Sequence, residues 1–192
     1  MNNLLLRRRA LMSMGSKSKD DPWAGLPDGI RLRAKNTGDN NIIGRGNENV
    51  DKVDSMYVDG VSVTPVLRYE FADSAYHNVL LVLKDNTKLG ANFCWYASPK
   101  APVMIDFPST VMTFQDQSVR GMSAGADFDI IFRATSMPNF GSYNFISWDA
   151  SRAHIYVPSA LVNSYKTMLQ NDSYGSALAD RVFALEDSPY NK

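Results

Sequence analysis

From residue 55 onward apolar and polar positions alternate at period two, and from residue 89 a second regularity is laid over the first. Ile105-Asp-Phe-Pro108, Ile130-Ile-Phe-Arg133 and Ile155-Tyr-Val-Pro158 recur at a spacing of 25 residues. A companion register travels with them: Leu89, Phe114 and Phe140 precede these segments by 15 or 16 residues, and Phe93, Val119 and Phe145 by 10 to 12. A fixed period of this size predicts stacked structural units, each supplying one short strand and an irregular arc, whose apolar positions form one continuous column.

The segment before the repeats predicts a small antiparallel sheet. Asp59-Gly60 between Met56-Tyr-Val58 and Val61-Ser-Val63 is a hairpin signal, because both residues tolerate the positive backbone angles of a type I′ turn. Leu67, Tyr69 and Phe71 alternate with Arg68 and Glu70, which predicts a half-buried strand. Val79-Leu-Leu-Val-Leu83 is apolar on both faces and predicts a central one. After Pro158, Ser159 is placed to cap a helix to Leu169 with Leu161, Val162, Tyr165, Met168 and Leu169 as its buried stripe. A second short helix is expected over 177–185, presenting Leu178, Val182 and Leu185.

Residues 1–50 lack this regularity apart from a short amphipathic helix expected over 3–14, with Leu4, Leu5, Leu11 and Met12 on one face. The expected organisation is therefore an extended basic docking arm at 1–50, a small antiparallel cap sheet at 51–88, a three-turn repeat at 89–158 and a helical cap and tail at 159–192. The sequence is 44% hydrophobic and 11% aromatic over 192 residues, enough for a real core. Its formal charge is zero but unevenly placed. Arg7, Arg8, Arg9, Lys17 and Lys19 fall in the first 19 residues with no acid, and setting those five aside leaves 15 basic against 20 acidic residues. A basic arm precedes an acidic body.

Candidate chemistry is sparse. The single cysteine, Cys94, excludes an internal disulfide and sits between Phe93 and Trp95, which fits a small buried hydrophobe better than a thiol nucleophile. His77 and His154 lie at no metal-ligand spacing, so no metal or cofactor is expected. Asp127 and Asp129 flank Phe128; at period two both face solvent while Phe128 packs, which fits the pattern better than general acid–base work. Gly44-Arg-Gly46 follows no strand and opens no helix, so it is not a nucleotide loop. Leu4-Leu-Leu6 is broken at once by the arginines, unlike a secretory signal, and no window matches a membrane span.

Tyr57-Val-Asp-Gly-Val61, Leu83-Lys-Asp-Asn-Thr87, Leu89-Gly90 and Phe107-Pro-Ser-Thr-Val111 resemble the opening of BspA-type leucine-rich repeat proteins. Phe132-Arg-Ala-Thr-Ser-Met-Pro138, Phe140-Gly-Ser142, Phe145 and His154-Ile-Tyr-Val-Pro-Ser159, followed by Val162, Ser164-Tyr-Lys166 and Ala179-Asp-Arg-Val182, resemble that family's terminal repeat and helical cap. The likeness spans roughly 55–185; Asp116-Gln-Ser-Val119 and Met122-Ser-Ala-Gly125 depart from the family pattern. It implies a mainly β fold with C-terminal helices: a short repeat solenoid closed by a small antiparallel sheet and a helical end cap, used for adhesion or structure without catalysis. The start of the chain, Asn3-Leu-Leu-Leu-Arg-Arg-Arg-Ala-Leu-Met12, joined to one compact module, looks like virion proteins of tailed phages of gut bacteria.

The expected function is a non-enzymatic virion component, made in the host cytoplasm, with an adhesion or glycan- or protein-binding module of a bacterium as the alternative. Leu4, Leu5, Arg7, Arg8, Arg9, Leu11 and Trp23 are the candidates for docking to other virion proteins, and Trp23 serves equally as an anchor in a partner or as packing on its own body. Nucleic acid fits the acidic body poorly. Tyr143, Trp148 and Tyr156 are candidates for contact with a host surface glycan or protein, with core packing or a homo-oligomer interface as the other account of each.

Overall fold

The computed structural model describes residues 21–36, 41–43, 49–94, 102–121 and 127–191. The expected helix at 3–14 and its docking candidates Leu4, Leu5, Arg7, Arg8, Arg9 and Leu11 lie outside the described residues. The described chain is mainly β, with eleven strands and one α-helix near its C-terminal end. The strands are β1 Ile30–Ala34, β2 Val53–Val58, β3 Val61–Val63, β4 His77–Leu83, β5 Lys88–Leu89, β6 Pro102–Phe107, β7 Thr113–Phe114, β8 Phe128–Phe132, β9 Asn139–Phe140, β10 Ala153–Val157 and β11 Val182–Ala184; the helix is α1 Val162–Asn171. Eight strands form one mixed sheet in the order β11-β10-β8-β6-β1-β4-β2-β3, and β5-β7-β9 form a second, three-stranded sheet.

The 25-residue recurrence is visible as strand register. β6, β8 and β10 pair in parallel with Ile105 beside Ile130 and Ile130 beside Ile155. β5, β7 and β9 pair in parallel with Leu89 beside Phe114 and Phe114 beside Phe140. Each return of the chain thus adds one strand to each sheet, and backbone bonds such as Gln115 N–H to the Leu89 carbonyl (3.0 Å) and Gly141 N–H to the Phe114 carbonyl (2.7 Å) join one turn to the next. Gly141 is required there, because a Cβ would press on the Asp116 carboxylate and stand 2.7 Å from the Asp116 backbone nitrogen.

Alternation within the strands decides what lies between the two sheets. Phe107 stacks on Phe132 and Phe114 on Phe140, at ring-centroid distances of 5.4 and 4.8 Å, and the two pairs meet edge to face at 5.1 to 5.6 Å. Tyr165 of α1 joins this group, 5.7 Å from Phe132, and closes the end of the column. Edge-to-face and offset pairs of this kind contribute about 0.5–1.5 kcal/mol each beyond the area they bury.

Four expectations change. Residues 30–34, expected within the arm, form β1 in the interior of the sheet: Ile30, Leu32 and Ala34 are fully buried, and the strand pairs antiparallel with both β4 and β6. The antiparallel segment is therefore continuous with the parallel one in a single sheet and does not pack on it as a separate cap. Residues 67–71 form no strand beyond an isolated bridge between Arg68 and Asn41; Leu67 and Phe71 still point inward, and Asn36 takes up the Phe71 backbone N–H and carbonyl at 2.7 Å each. At the C-terminal end, 176–181 is a 3-10 helix and Val182–Ala184 is β11, which pairs with β10 where a second α-helix was expected. Ser159 does not cap α1: it opens a 3-10 turn, and its N–H and hydroxyl both donate to Glu186. The hairpin is as expected, with Asp59 at φ 48° and Gly60 at φ 81°.

Candidate functional site

The outward face of the large sheet carries a polar cluster set by the same alternation. With Phe128, Ile130 and Ile155 pointing inward, Asp129, Ile131, His154 and Tyr156 point outward. Asp129 accepts hydrogen bonds from both sides: His154 Nδ1 lies 3.0 Å from one oxygen and the Tyr190 hydroxyl 2.5 Å from the other. Asp106 on β6, almost fully buried, is held by Arg133 Nε at 2.8 and 2.9 Å, and the Arg133 guanidinium also reaches the Tyr190 carbonyl at 3.3 Å. Burial pushes the Asp106 carboxyl upward, and Arg133 opposes that push. The Tyr190 phenol is raised by burial and by its bond to Asp129.

Such a cluster holds a chain in place. Both Asp129 oxygens are engaged and tie β10 and the C-terminal tail to β8, while Met104, Ile131 and Leu185 form a small apolar patch against which Trp23, Tyr156 and Tyr190 pack. Trp23, half-buried, thus packs on the chain's own body. Asp127 is exposed and does not join Asp129, and His154 pairs with Asp129 of β8 just before the stretch of β10 that β11 flanks.

The glycan candidates do not converge. Tyr156 is on this outer face. Trp148 is half-buried against Phe128 and Phe145, and its indole N–H donates to the Val119 and Asn144 carbonyls at 2.8 and 2.9 Å, so its hydrogen bonding is spent internally. Tyr143 alone stands out into solvent, 48% exposed.

Tyr143 occupies the corner that follows β9. The equivalent corners in the two preceding turns are Asn92 and Gln117, and all three have left-handed backbone, φ 58°, 59° and 61°. Asparagine visits this region readily, whereas a bulky aromatic residue there is uncommon and costs on the order of 1–3 kcal/mol. The corner is held by its neighbours: Ser142 N–H donates to Asp116 at 2.7 Å, and buried Asn144 makes four hydrogen bonds, two with residue 115 or 141 carbonyls and two with Ser118 and Val119.

Beside Tyr143, at a ring-centroid distance of 5.7 Å, stands Tyr174, 49% exposed. Its position follows from Asp172, which ends α1 and accepts the Tyr174 and Gly175 N–H groups at 2.8 Å each. Between β9 and α1 the surface opens into a groove of about 420 Å³, with Phe140, Phe145 and Met168 below and Asn139, Asn171 and Asp172 around it. Tyr174 is absent from the sequence-based candidates, although Asp172-Ser-Tyr-Gly175 is a local turn signal.

Two other features stand out on the described surface. A cleft of about 330 Å³ beside β5 mixes Lys52, Lys84 and Lys88 with Asp51 and Asp85, and Lys52 already bonds Asn49 at 2.5 Å. His77 bridges two carboxylates, Nδ1 to Asp59 at 2.6 Å and Nε2 to Asp73 at 3.1 Å, while its ring stacks on Phe71 at 4.6 Å. The bond to Asp59, more than that to Asp73, holds its pKa above the ordinary histidine value. Cys94 is fully buried, and burial raises its thiol far out of the reactive range. Among the described residues no group of three or more His, Cys, Asp or Glu could hold a metal ion, and no helix is long and apolar enough to cross a membrane. Compared with family models, curated proteins and solved structures, the chain matches none of them.

Proposed function

We propose that this chain is a non-enzymatic structural virion protein of a tailed phage, of the capsid-decoration, head-fibre or tail-adaptor kind, and that its body is a short BspA-type repeat solenoid displayed on the particle. The observation that carries the reading is the parallel register of three chain returns at 25-residue intervals, with α1 and β11 at one end and the antiparallel strands at the other. Such a stack builds a rigid surface from short units. In this reading the basic segment carrying Leu4, Leu5, Arg7, Arg8, Arg9 and Leu11 docks to another virion protein, the arm ends ahead of Trp23, which packs on the body, and copies of the body associate with one another. Ordering a long arm costs conformational entropy that a large interface offsets.

The test is incorporation into particles of the full-length chain carrying Arg7, Arg8 and Arg9 each changed to Glu. The expected result is loss of incorporation with an unchanged thermal midpoint of the body; normal stoichiometry in purified particles would sink the docking role. An adhesion module recognising a surface glycan or protein is the second reading, favoured by the exposed Tyr143 and Tyr174 pair.

A further inference from the structure

We propose that Tyr143, Tyr174 and the groove between β9 and α1 form a binding site for a neutral saccharide; this deepens the reading of the body as a module displayed for surface contact. Three observations combine. The first is conformational: the left-handed corner carries polar Asn92 and Gln117 in two turns but an aromatic residue in the third, and the ring so placed packs into no core. A strained residue with its ring held in solvent is a feature retained for what the ring meets. The second is the pairing of rings. Tyr174 is set beside Tyr143 by the Asp172 turn, giving two adjacent aromatic faces whose polar edges suit the apolar faces and hydroxyl rims of sugar rings.

The third is the polar equipment of the groove. Asn139 and Asn171 line it, and neither side-chain amide makes a hydrogen bond to another described residue. Each offers a donor and an acceptor side by side, the arrangement that adjacent hydroxyls engage. Phe140, Phe145 and Met168 supply an apolar floor, and the volume of about 420 Å³ falls in the range of small-ligand clefts.

Charge and geometry narrow the class. Among the described residues the groove lining holds Asp172 and no lysine or arginine, which disfavours nucleic acid and anionic sugars. β9 is two residues long, too short an edge to fix an added peptide strand by its backbone ladder. A neutral hexose or N-acetylhexosamine chain satisfies both the rings and the amides.

The experiment uses the full-length chain on an array of neutral hexose and N-acetylhexosamine oligosaccharides, with titration calorimetry on the best of them. Wild type is expected to bind, and Tyr174→Ala to weaken binding about tenfold or more. Tyr143→Asn restores the residue of the first corner and is expected to abolish binding while raising the thermal midpoint, a combination that simple damage to the fold does not produce. The site is overturned if wild type binds no neutral oligosaccharide, if neither variant changes the affinity, or if a peptide or nucleic acid competes for Tyr143 and Tyr174. Particle incorporation of Tyr143→Asn keeps the two proposals apart: normal incorporation with no saccharide binding by wild type discards the site and leaves the virion role standing.

Discussion

Replacing Asn144 by Ala probes the joint between successive turns. This side chain is fully buried, its amide donates to the Gln115 and Gly141 carbonyls at 3.1 and 2.8 Å, and its oxygen accepts from the Ser118 hydroxyl and the Val119 N–H at 2.9 and 3.2 Å. Gln115 keeps a second partner in the Ser118 N–H at 3.1 Å. The groups stranded by the substitution are therefore the Val119 N–H, the Gly141 carbonyl and the Ser118 hydroxyl. The hydroxyl can rotate toward another acceptor, so its loss is the smallest of the three. An unsatisfied buried backbone group costs about 1–3 kcal/mol, and water entering the vacated space returns part of it. The expected loss is about 3–4 kcal/mol, a large share of the roughly 5–15 kcal/mol that holds a domain together.

Urea unfolding followed by tryptophan fluorescence and circular dichroism measures that loss, with an unchanged m-value as the condition for comparing midpoints. Two companion variants sharpen it. Asn144→Asp keeps the acceptors but sets a carboxylate against two carbonyls, so it should be at least as damaging near neutral pH and recover part of the loss as acid protonates it. The Ser118→Ala, Asn144→Ala pair should lose less than the sum of the single variants, with a coupling of about 1 kcal/mol. A cost below about 1 kcal/mol for Asn144→Ala, or a wild-type-like Asn144→Asp at neutral pH, would refute the idea that this amide joins the turns.

The aromatic column gives a contrasting pair: Phe132→Ala should cost about 3–5 kcal/mol, whereas Tyr165→Phe should leave stability unchanged or raise it by up to about 1 kcal/mol, because the Tyr165 hydroxyl is buried without a partner among the described residues. A clear destabilisation by Tyr165→Phe in the same urea assay would contradict that. His77, whose pKa is raised by Asp59 and Asp73, contributes stability that is fully present below the ordinary histidine value of about 6.5 and lost as pH rises through its elevated native value. Asp73 is depressed, by the Ala75 N–H first and His77 second, so its share is present above about pH 4 and lost as acid titrates it. The stability difference between wild type and His77→Gln should therefore be widest in the mildly acidic window between these limits and shrink toward alkaline pH; a difference independent of pH would rule the clamp out.

Legibility in the sequence followed the range of the interaction that fixed each element. The Asp59-Gly60 turn was legible because two adjacent residues set it, and the position of β4 between β1 and β2 agrees with an apolar run that has no polar face. Leu67 and Phe71 were legible as inward-facing but not as loop, since alternation describes direction and leaves the hydrogen-bond partner open; here that partner for Phe71 is Asn36. Residues 182–184 carry spacing compatible with a helix, yet β10 presented an edge that a strand completes. Of the candidate site, Tyr143 was legible as a surface aromatic, while Tyr174 was not, because only the end of α1 brings it within 5.7 Å.

The period of 25 residues, 26 in one step, by itself determined which residues share a level: Ile105, Ile130 and Ile155 in one ladder, Leu89, Phe114 and Phe140 in the other, because near-equal steps along a chain bring like positions into register. The tertiary structure decided what closes the two ends and what lies on the surface. Ile30–Ala34, with only five residues and no periodic neighbours, becomes β1 because β4 and β6 each leave a row of backbone groups that need a partner. The step from β10 to α1 and β11 likewise answers an open edge, and it is this ending that sets Tyr174 beside Tyr143, two residues beyond Asp172 and Gly141 of the groove lining. Pairing of distant edges depends on geometry that no local run of residues contains.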